Sequence, residues 1–262
     1  MLTITSSANG QIKHLKKLQT KKTREQSGEF VVENLTTIID AAQAGHLPQR
    51  LYLTPELLDK VKARLPKILA KLKPVIINQQ VNKHYSSLAT PSGITAVYEQ
   101  LPATANLNKS LIYFNAISDP GNLGALLRSA MAFGLTNVVL DEDCADLYNP
   151  KTLTATKEAI FKLQISVDHQ RQLFQEIKKN LPVYATSLQG KNLQPLLTAK
   201  KYCLVLGNEA KGVSAEIIKT ADQLVKIPMT KNMNSLNVAI AGSIIFYELH
   251  RAKQSSIMKD KS

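Results

Sequence analysis

Leu111 to Leu140, LIYFNAISDPGNLGALLRSAMAFGLTNVVL, holds the pattern that decides the architecture of this chain. Leu111–Asn115 is a short apolar run of the kind that forms a strand buried on both faces. A helix is expected from about Asn122 to Phe133, and a second apolar strand over Asn137–Leu140. Strand, helix and strand in this order make a crossover unit of a parallel sheet.

The same alternation continues toward the C-terminus. A helix is expected near Pro150–Phe161, a strand over Leu163–Val167, a helix to Lys179, strands over Val183–Thr186 and Tyr202–Leu206, a short helix after Ser214, a strand over Leu224–Ile227 and a long helix from about Leu236 to Arg251. Strands separated by helices predict a mostly parallel sheet covered on both faces. Toward the N-terminus, Leu101–Ser110 is short, polar and Pro-containing, and reads as a linker. Before it stand strands expected over Glu29–Glu33, Leu51–Leu53, Val75–Ile77 and Ile94–Tyr98, a helix over Leu35–Ala44 closed by Gly45, and another between Pro55 and Leu72. The organisation expected is therefore a small α/β domain over residues 1–100, a linker over 101–110 and a larger α/β domain over 111–262.

The chain has 262 residues, 44% of them hydrophobic, which excludes a largely disordered protein. Its 33 Lys and Arg against 20 Asp and Glu leave a net charge of +13, which favours a polyanionic partner. Met1–Arg24 contains no acid, while Lys13, Lys16, Lys17, Lys21, Lys22 and Arg24 crowd its second half above Ile12, Leu15 and Leu18 at helical spacing. An amphipathic basic helix starting near Asn9 is expected there, with these six cations as candidate RNA contacts. An ordinary solvated face is the alternative.

Several classes fall away. Cys144 and Cys203 stand alone without C-x-x-C or a histidine pair, so neither a disulfide framework nor a metal site is expected. His14, His46, His84, His169 and His250 have no metal-like spacing. Gly121 and Gly124 do not complete a dinucleotide fingerprint, and Lys211 is followed by Gly212 rather than Ser or Thr, so no Walker loop is present. No stretch is long and apolar enough for a membrane span, and the start lacks the apolar centre of a signal peptide, so a cytoplasmic protein is expected. A membrane-surface role finds no support in a basic helix without large aromatics.

Ligands of parallel sheets sit at the carboxyl ends of the strands. Three loops there carry the candidate chemistry: Ser118–Gly124 leading to Arg128, Gly207–Gly212, and Ile227-Pro228-Met229 running on to Ser235-Leu236-Asn237. Arg128 is the only Lys or Arg between Ser110 and Pro150, on a helix of Ala, Leu, Met and Phe six residues after Asn122. It is expected to share a helix face with Asn122 and either to pair with Asp119 or Glu209 or to line a cleft, because an unpaired buried charge is costly. Asn234, Ser235 and Asn237 crowd the start of the last helix, where capping needs only one of them.

Taken together and in order, these loops resemble the SpoU (TrmH-type) family of RNA ribose 2′-O-methyltransferases, of the knotted SPOUT superfamily. The resemblance covers almost the whole chain and rests on Ser118–Ala125 through Arg128 to Gly134, on Leu204–Glu209, and on Ile227–Met229 with Ser235–Val238. Ile12–Glu33 is similar to that family's ribosomal-protein-L30e-like RNA-binding domain.

The resemblance implies a C-terminal domain with a trefoil knot, S-adenosylmethionine as methyl donor, RNA, above all ribosomal RNA, as substrate, and a homodimer through the C-terminal domain. It implies that Leu206, Gly207, Asn208, Gly212, Ile227, Met229, Ser235, Leu236 and Asn237 border the donor. It also implies that Arg128, Asn122, Glu209, Ser235 and Asn237 form the catalytic set, with Arg128 acting at the ribose hydroxyl. The chain departs from the family's pattern at Asn34, Glu158, Ala210 and Lys231, where glycine is usual, and at Asn115-Ala116, where Asp-Gly is common. A catalytically silent RNA-binding protein that keeps the knot is the rival expectation.

Overall fold

The computed structural model describes residues 2–64, 72–230 and 235–259. These divide into two compact units, residues 1–101 with 146–161, and residues 102–145 with 162–262.

The first unit is built on a five-stranded sheet of β1 (Thr3–Ile4), β2 (Glu29–Val32), β3 (Arg50–Leu53), β4 (Val75–Ile77) and β5 (Ile94–Glu99), in the spatial order β1-β4-β3-β5-β2. β5 runs antiparallel to both β2 and β3, whereas β3–β4 and β4–β1 are parallel. Ile12, Leu15 and Leu18 are fully buried as their spacing requires, and pack with Val31, Tyr52, Ile77 and Val97. The expected single basic helix is two, Gly10–Lys17, capped by the Asn9 side chain, and Lys21–Ser27. Asn34, one of the departures from glycine, caps the helix Leu35–Gln43 by accepting from the Thr37 amide at 3.0 Å. The helix expected from Pro55 is described to Arg64, its continuation lying outside the described residues. The polar helix Gln79–Tyr85 was not expected, because only Val81, Asn82 and Tyr85 of its residues turn inward, too few to make an apolar stripe.

The stretch near Pro150–Phe161 forms the expected helix, Pro150–Thr156 followed by a 3₁₀ turn, but it belongs to the first unit. Aromatic packing explains this: the Phe161 ring lies 4.8 Å from Tyr98 and the Tyr148 ring 4.6 Å from Phe30, centroid to centroid. The expected linker is also only partly one. Residues from Pro102 belong to the second unit, where the amides of Thr104, Ala105 and Asn106 donate to Ile165 O, Ser166 Oγ and Asn137 Oδ1.

The second unit is a six-stranded, wholly parallel sheet of β6 (Leu111–Asn115), β7 (Asn137–Asp141), β8 (Gln164–Asp168), β9 (Val183–Lys191), β10 (Cys203–Gly207) and β11 (Gln223–Val225). Its order is β11-β9-β10-β6-β7-β8, so β10 inserts between strands laid down before it. β6, β7 and β10 are buried along their whole length, as near-continuous apolar runs in a doubly covered sheet must be. The helices Pro120–Ala132 and Val238–Lys259 pack against each other, joined by a 2.7 Å hydrogen bond between the Ser129 and Ser243 hydroxyls.

Candidate active site

The carboxyl ends of β6 and β10 lie side by side, with Gly207 in register with Asn115, and their loops meet. Asn115 is buried and gives its Nδ2 to Asp141 Oδ2 at 2.5 Å, while its Oδ1 accepts from the Ser214 amide at 2.8 Å. Asp141 Oδ1 takes the amide of Ala116 at 2.9 Å. Ala116 has φ +55°, a conformation that favours glycine, and that bond holds it there. The departure from Asp-Gly thus leaves a fully bonded turn under the site.

Asn208 ties the two loops. Its Nδ2 donates to Ala116 O at 2.7 Å, and its Oδ1 accepts the amides of Ala210 and Lys211, both at 3.0 Å. The chain then folds back on itself, with paired bonds between the Asn208 and Gly212 backbones. Gly207 is required by this close return: a Cβ there would lie 2.1 Å from Val213 N.

Glu209 gathers donors from the first loop. Its Oε1 accepts from Asn122 Nδ2 at 3.0 Å and from the Asp119 amide at 3.4 Å, and its Oε2 accepts from Ser118 Oγ at 3.3 Å and the Ser118 amide at 3.4 Å. Partial burial raises its pKa, but the bonds from Asn122 and from backbone amides, including those of Asp119 and Ser118, outweigh it and hold the carboxyl below its ordinary value. Asn237 brings in the third loop, its Nδ2 donating to Asn122 Oδ1 at 3.1 Å. Its Oδ1 meanwhile accepts the Ala239 amide at 2.8 Å and so caps the last helix. That leaves Ser235 free of the capping role, while Asn234 and Lys231 lie outside the described residues.

Beside this cluster is a cavity of about 800 Å³. Of the residues expected around the donor, Leu206, Gly207, Asn208, Gly212, Ile227, Met229, Ser235 and Leu236 line it, as does Glu209. Asn237 stands outside its wall, in the hydrogen-bonded cluster. Sequence reasoning missed the contribution of Thr186–Gln189, because β9 was expected to stop at Thr186 and instead continues to Lys191. Gly190 was the available signal: a Cβ on it would meet the Val225 backbone at 2.6 Å, so the strand can continue beside β11 only with glycine there.

Arg128 does not share a face with Asn122. Six residues at about 100° each leave the two roughly a third of a turn apart. Arg128 is exposed and makes no hydrogen bond or ion pair among the described residues, so the expected pairing with Asp119 or Glu209 is not formed. Of the six candidate RNA contacts, Lys13, Lys16, Lys17, Lys21 and Lys22 are exposed. Arg24 is not: it is 3% exposed, ion-paired to Asp146 and donating to Leu18 O at 2.7 Å, which removes it from any RNA-facing surface. Its aliphatic stem supplies apolar surface to a short helix, and burial of the head is tolerated because a carboxylate meets it.

Among the described residues no helix is long and apolar enough to cross a membrane. Residues 109–247 match the model of the SpoU rRNA Methylase family, and residues 9–96 match that of the MRM3-like substrate binding domain. The chain is 30% identical to the 23S rRNA (guanosine(2553)-2′-O)-methyltransferase RlmP of Bacillus subtilis, covering 95% of this chain and 99% of that one. It is 26% identical to the mouse protein rRNA methyltransferase 3, mitochondrial, over 91% of this chain and 72% of that one. Among solved structures, the AdoMet-bound rRNA methyltransferase from Sinorhizobium meliloti matches with a TM-score of 0.82 at 26% identity, over 95% of this chain and 97% of that one. With three loops hydrogen-bonded into one cluster and a family match over more than half its length, the chain belongs to the SpoU rRNA methylase family and has its knotted α/β fold.

Proposed function

We propose that this protein is an S-adenosylmethionine-dependent methyltransferase of ribose 2′-hydroxyls in ribosomal RNA, working as a cytoplasmic homodimer. The observation that carries the reading is the bonded cluster Asn122–Glu209–Asn237 at the rim of the 800 Å³ cavity. The cavity's residues fit the donor. Leu206, Ile227, Met229 and Leu236 offer apolar walls for an adenosine, Asn208 and Ser235 offer polar groups, and the Glu209 carboxylate suits a cationic sulfonium. Bound there, S-adenosylmethionine supplies an electrophilic methyl group.

The chain's own residues then have to bring the ribose oxygen into line and ease loss of its proton. A guanidinium carries donors and no acceptor, so Arg128 stabilises negative charge on that oxygen and orients a neighbouring phosphate rather than taking the proton. Its lack of a hydrogen-bond or ion-pair partner among the described residues suits a group reserved for RNA. Asn122 is held at both ends of its amide, by Asn237 and by Glu209, so its position is set before substrate arrives.

The exposed lysines of the N-terminal unit suit the RNA backbone. A second copy suits the last helix, where Ile240, Ile244 and Tyr247 recur at i, i+4 and i+7 and are 37–54% exposed. Titration calorimetry with S-adenosylmethionine, followed by transfer of labelled methyl groups to ribosomal RNA and mapping of 2′-O-methyl positions, tests the proposal. Absence of donor binding at millimolar concentration would end it. RNA binding with donor binding but no transfer would instead establish the silent RNA-binding alternative.

A further inference from the structure

The loop Thr5–Ser7 and the helix Gln79–Tyr85 enclose a separate cavity of about 490 Å³ in the first unit, lined by Thr5, Ser6, Ser7, Gln80, Lys83 and His84 together with the buried Val81. Among the described residues no carboxylate lines it. Asn78 Nδ2 donates to Thr5 O at 3.5 Å and so ties loop to helix. Ser6 Oγ accepts the Ala8 amide at 3.2 Å, which leaves its hydroxyl hydrogen to donate.

Lysine and histidine in the last turn of a helix complement its dipole, and that alone would account for Lys83 and His84. It does not account for Lys16, which reaches across from the helix Gly10–Lys17 to place its Nζ 3.5 Å from His84 Nε2. Nor does it account for three hydroxyl side chains on the opposite wall. Among the described residues Lys13, Lys16, Lys17 and Lys83 form no ion pair, whereas the acid of the neighbouring strand, Glu29, is already held by His14 and Arg50. Like charges gathered without a counter-charge repel, and a bound polyanion offsets that cost.

We propose that this cleft binds backbone phosphates of the RNA substrate, with Lys83 and Lys16 as the charges and the Ser6 and Ser7 hydroxyls as donors. It extends the exposed row Lys13–Lys17 across a second helix, so that the N-terminal unit tracks a strand rather than touching it at one point. Phosphate contacts of this kind fix register and carry no sequence information. The inference rests on the protein's binding RNA, as proposed above.

The test is the affinity of the full chain for fluorescein-labelled ribosomal RNA fragments across a series of KCl concentrations, with S-adenosylmethionine affinity measured alongside. Lys83→Ala is expected to lower the slope of log affinity against log salt by about one and to weaken binding about threefold at moderate salt. Lys83→Glu should weaken it further, Lys83→Arg should restore it, and S6A/S7A should weaken it with little change of slope. Donor affinity should stay at its wild-type value throughout. If Lys83→Ala and Lys83→Glu bind as wild type while K13A/K17A loses affinity, the cleft is refuted and RNA binding stands. If the wild-type chain binds no RNA, both readings fail. A parallel loss of donor affinity in the Lys83 variants would also overturn the assignment, because it would mark a disturbed fold rather than a lost phosphate contact.

Discussion

Asn122 and Glu209, 87 positions apart in the chain, are joined by a 3.0 Å hydrogen bond from the amide of one to the carboxylate of the other. That bond closes the first and second motif loops, and Asn237 adds the third through the other end of the same amide. The carboxylate accepts four bonds and donates none.

Glu209→Gln therefore replaces an acceptor oxygen with an NH₂ group facing Asn122 and Asp119 on one side or Ser118 on the other. Methyl transfer is expected to fall about a hundredfold through misplacement of Asn122. Single-turnover assays at saturating donor would measure it, and unchanged turnover would remove Glu209 from the site.

The folded-state pKa of Glu209 lies below its unfolded value. The bonded cluster therefore contributes stability above the ordinary glutamate pKa and loses it as pH falls through the lower folded value. Carbon-detected NMR titration of the glutamate side chains should find Glu209 taking up its proton below the ordinary glutamate range. A Glu209 titration at or above that range would contradict the geometry.

Arg128→Ala should lower transfer by about two to three orders of magnitude while leaving donor affinity and thermal midpoint unchanged, since the exposed guanidinium forms no hydrogen bond or ion pair among the described residues. Arg128→Lys should recover only part of the rate, a point charge being a poor substitute for a planar fork on phosphate. A drop in thermal midpoint would show that the side chain has a structural partner after all.

Asp146→Ala leaves the Arg24 guanidinium buried with the Leu18 carbonyl as its one partner among the described residues. About 3 kcal/mol of the first unit's stability should be lost. Lys22→Ala, on the exposed side of the same helix, should leave stability nearly unchanged. Urea unfolding followed by tyrosine fluorescence would distinguish them.

Gly207→Ala forces a Cβ against Val213 N. It should cost about 1–3 kcal/mol and abolish donor binding, because the loop that lines the cavity must move. Gly10→Ala, with open space around the new Cβ at the start of a helix, should be neutral or slightly stabilising. Calorimetric melting with and without donor would compare the two.

Much of this site was legible in the sequence because loops after apolar strands of a parallel sheet have one place to go. Leu111–Asn115 and Val75–Ile77 form strands over the spans their apolar runs predict, the first buried along its whole length and the second through Ile77 alone. Eight of the nine residues expected around the donor line the cavity, six of them at or just beyond the ends of β10 and β11 and two before the last helix. The extension of β9 was hidden: its solvent-facing part, through Leu188 and Gln189, carries no alternation to read.

Local periodicity and the three loop motifs belong to the sequence by itself, for they depend only on which neighbours repeat on one face. Tertiary structure decided what lies between distant positions. It placed 146–161 with the N-terminal unit through Phe161 and Tyr148, and it buried Arg24 against Asp146. It also left Arg128 outside the hydrogen bonds that join Asn122, Glu209 and Asn237 among the described residues. A row of cations reads alike whether it faces water or a carboxylate 122 positions away, and only the packing of one element on another separates the two.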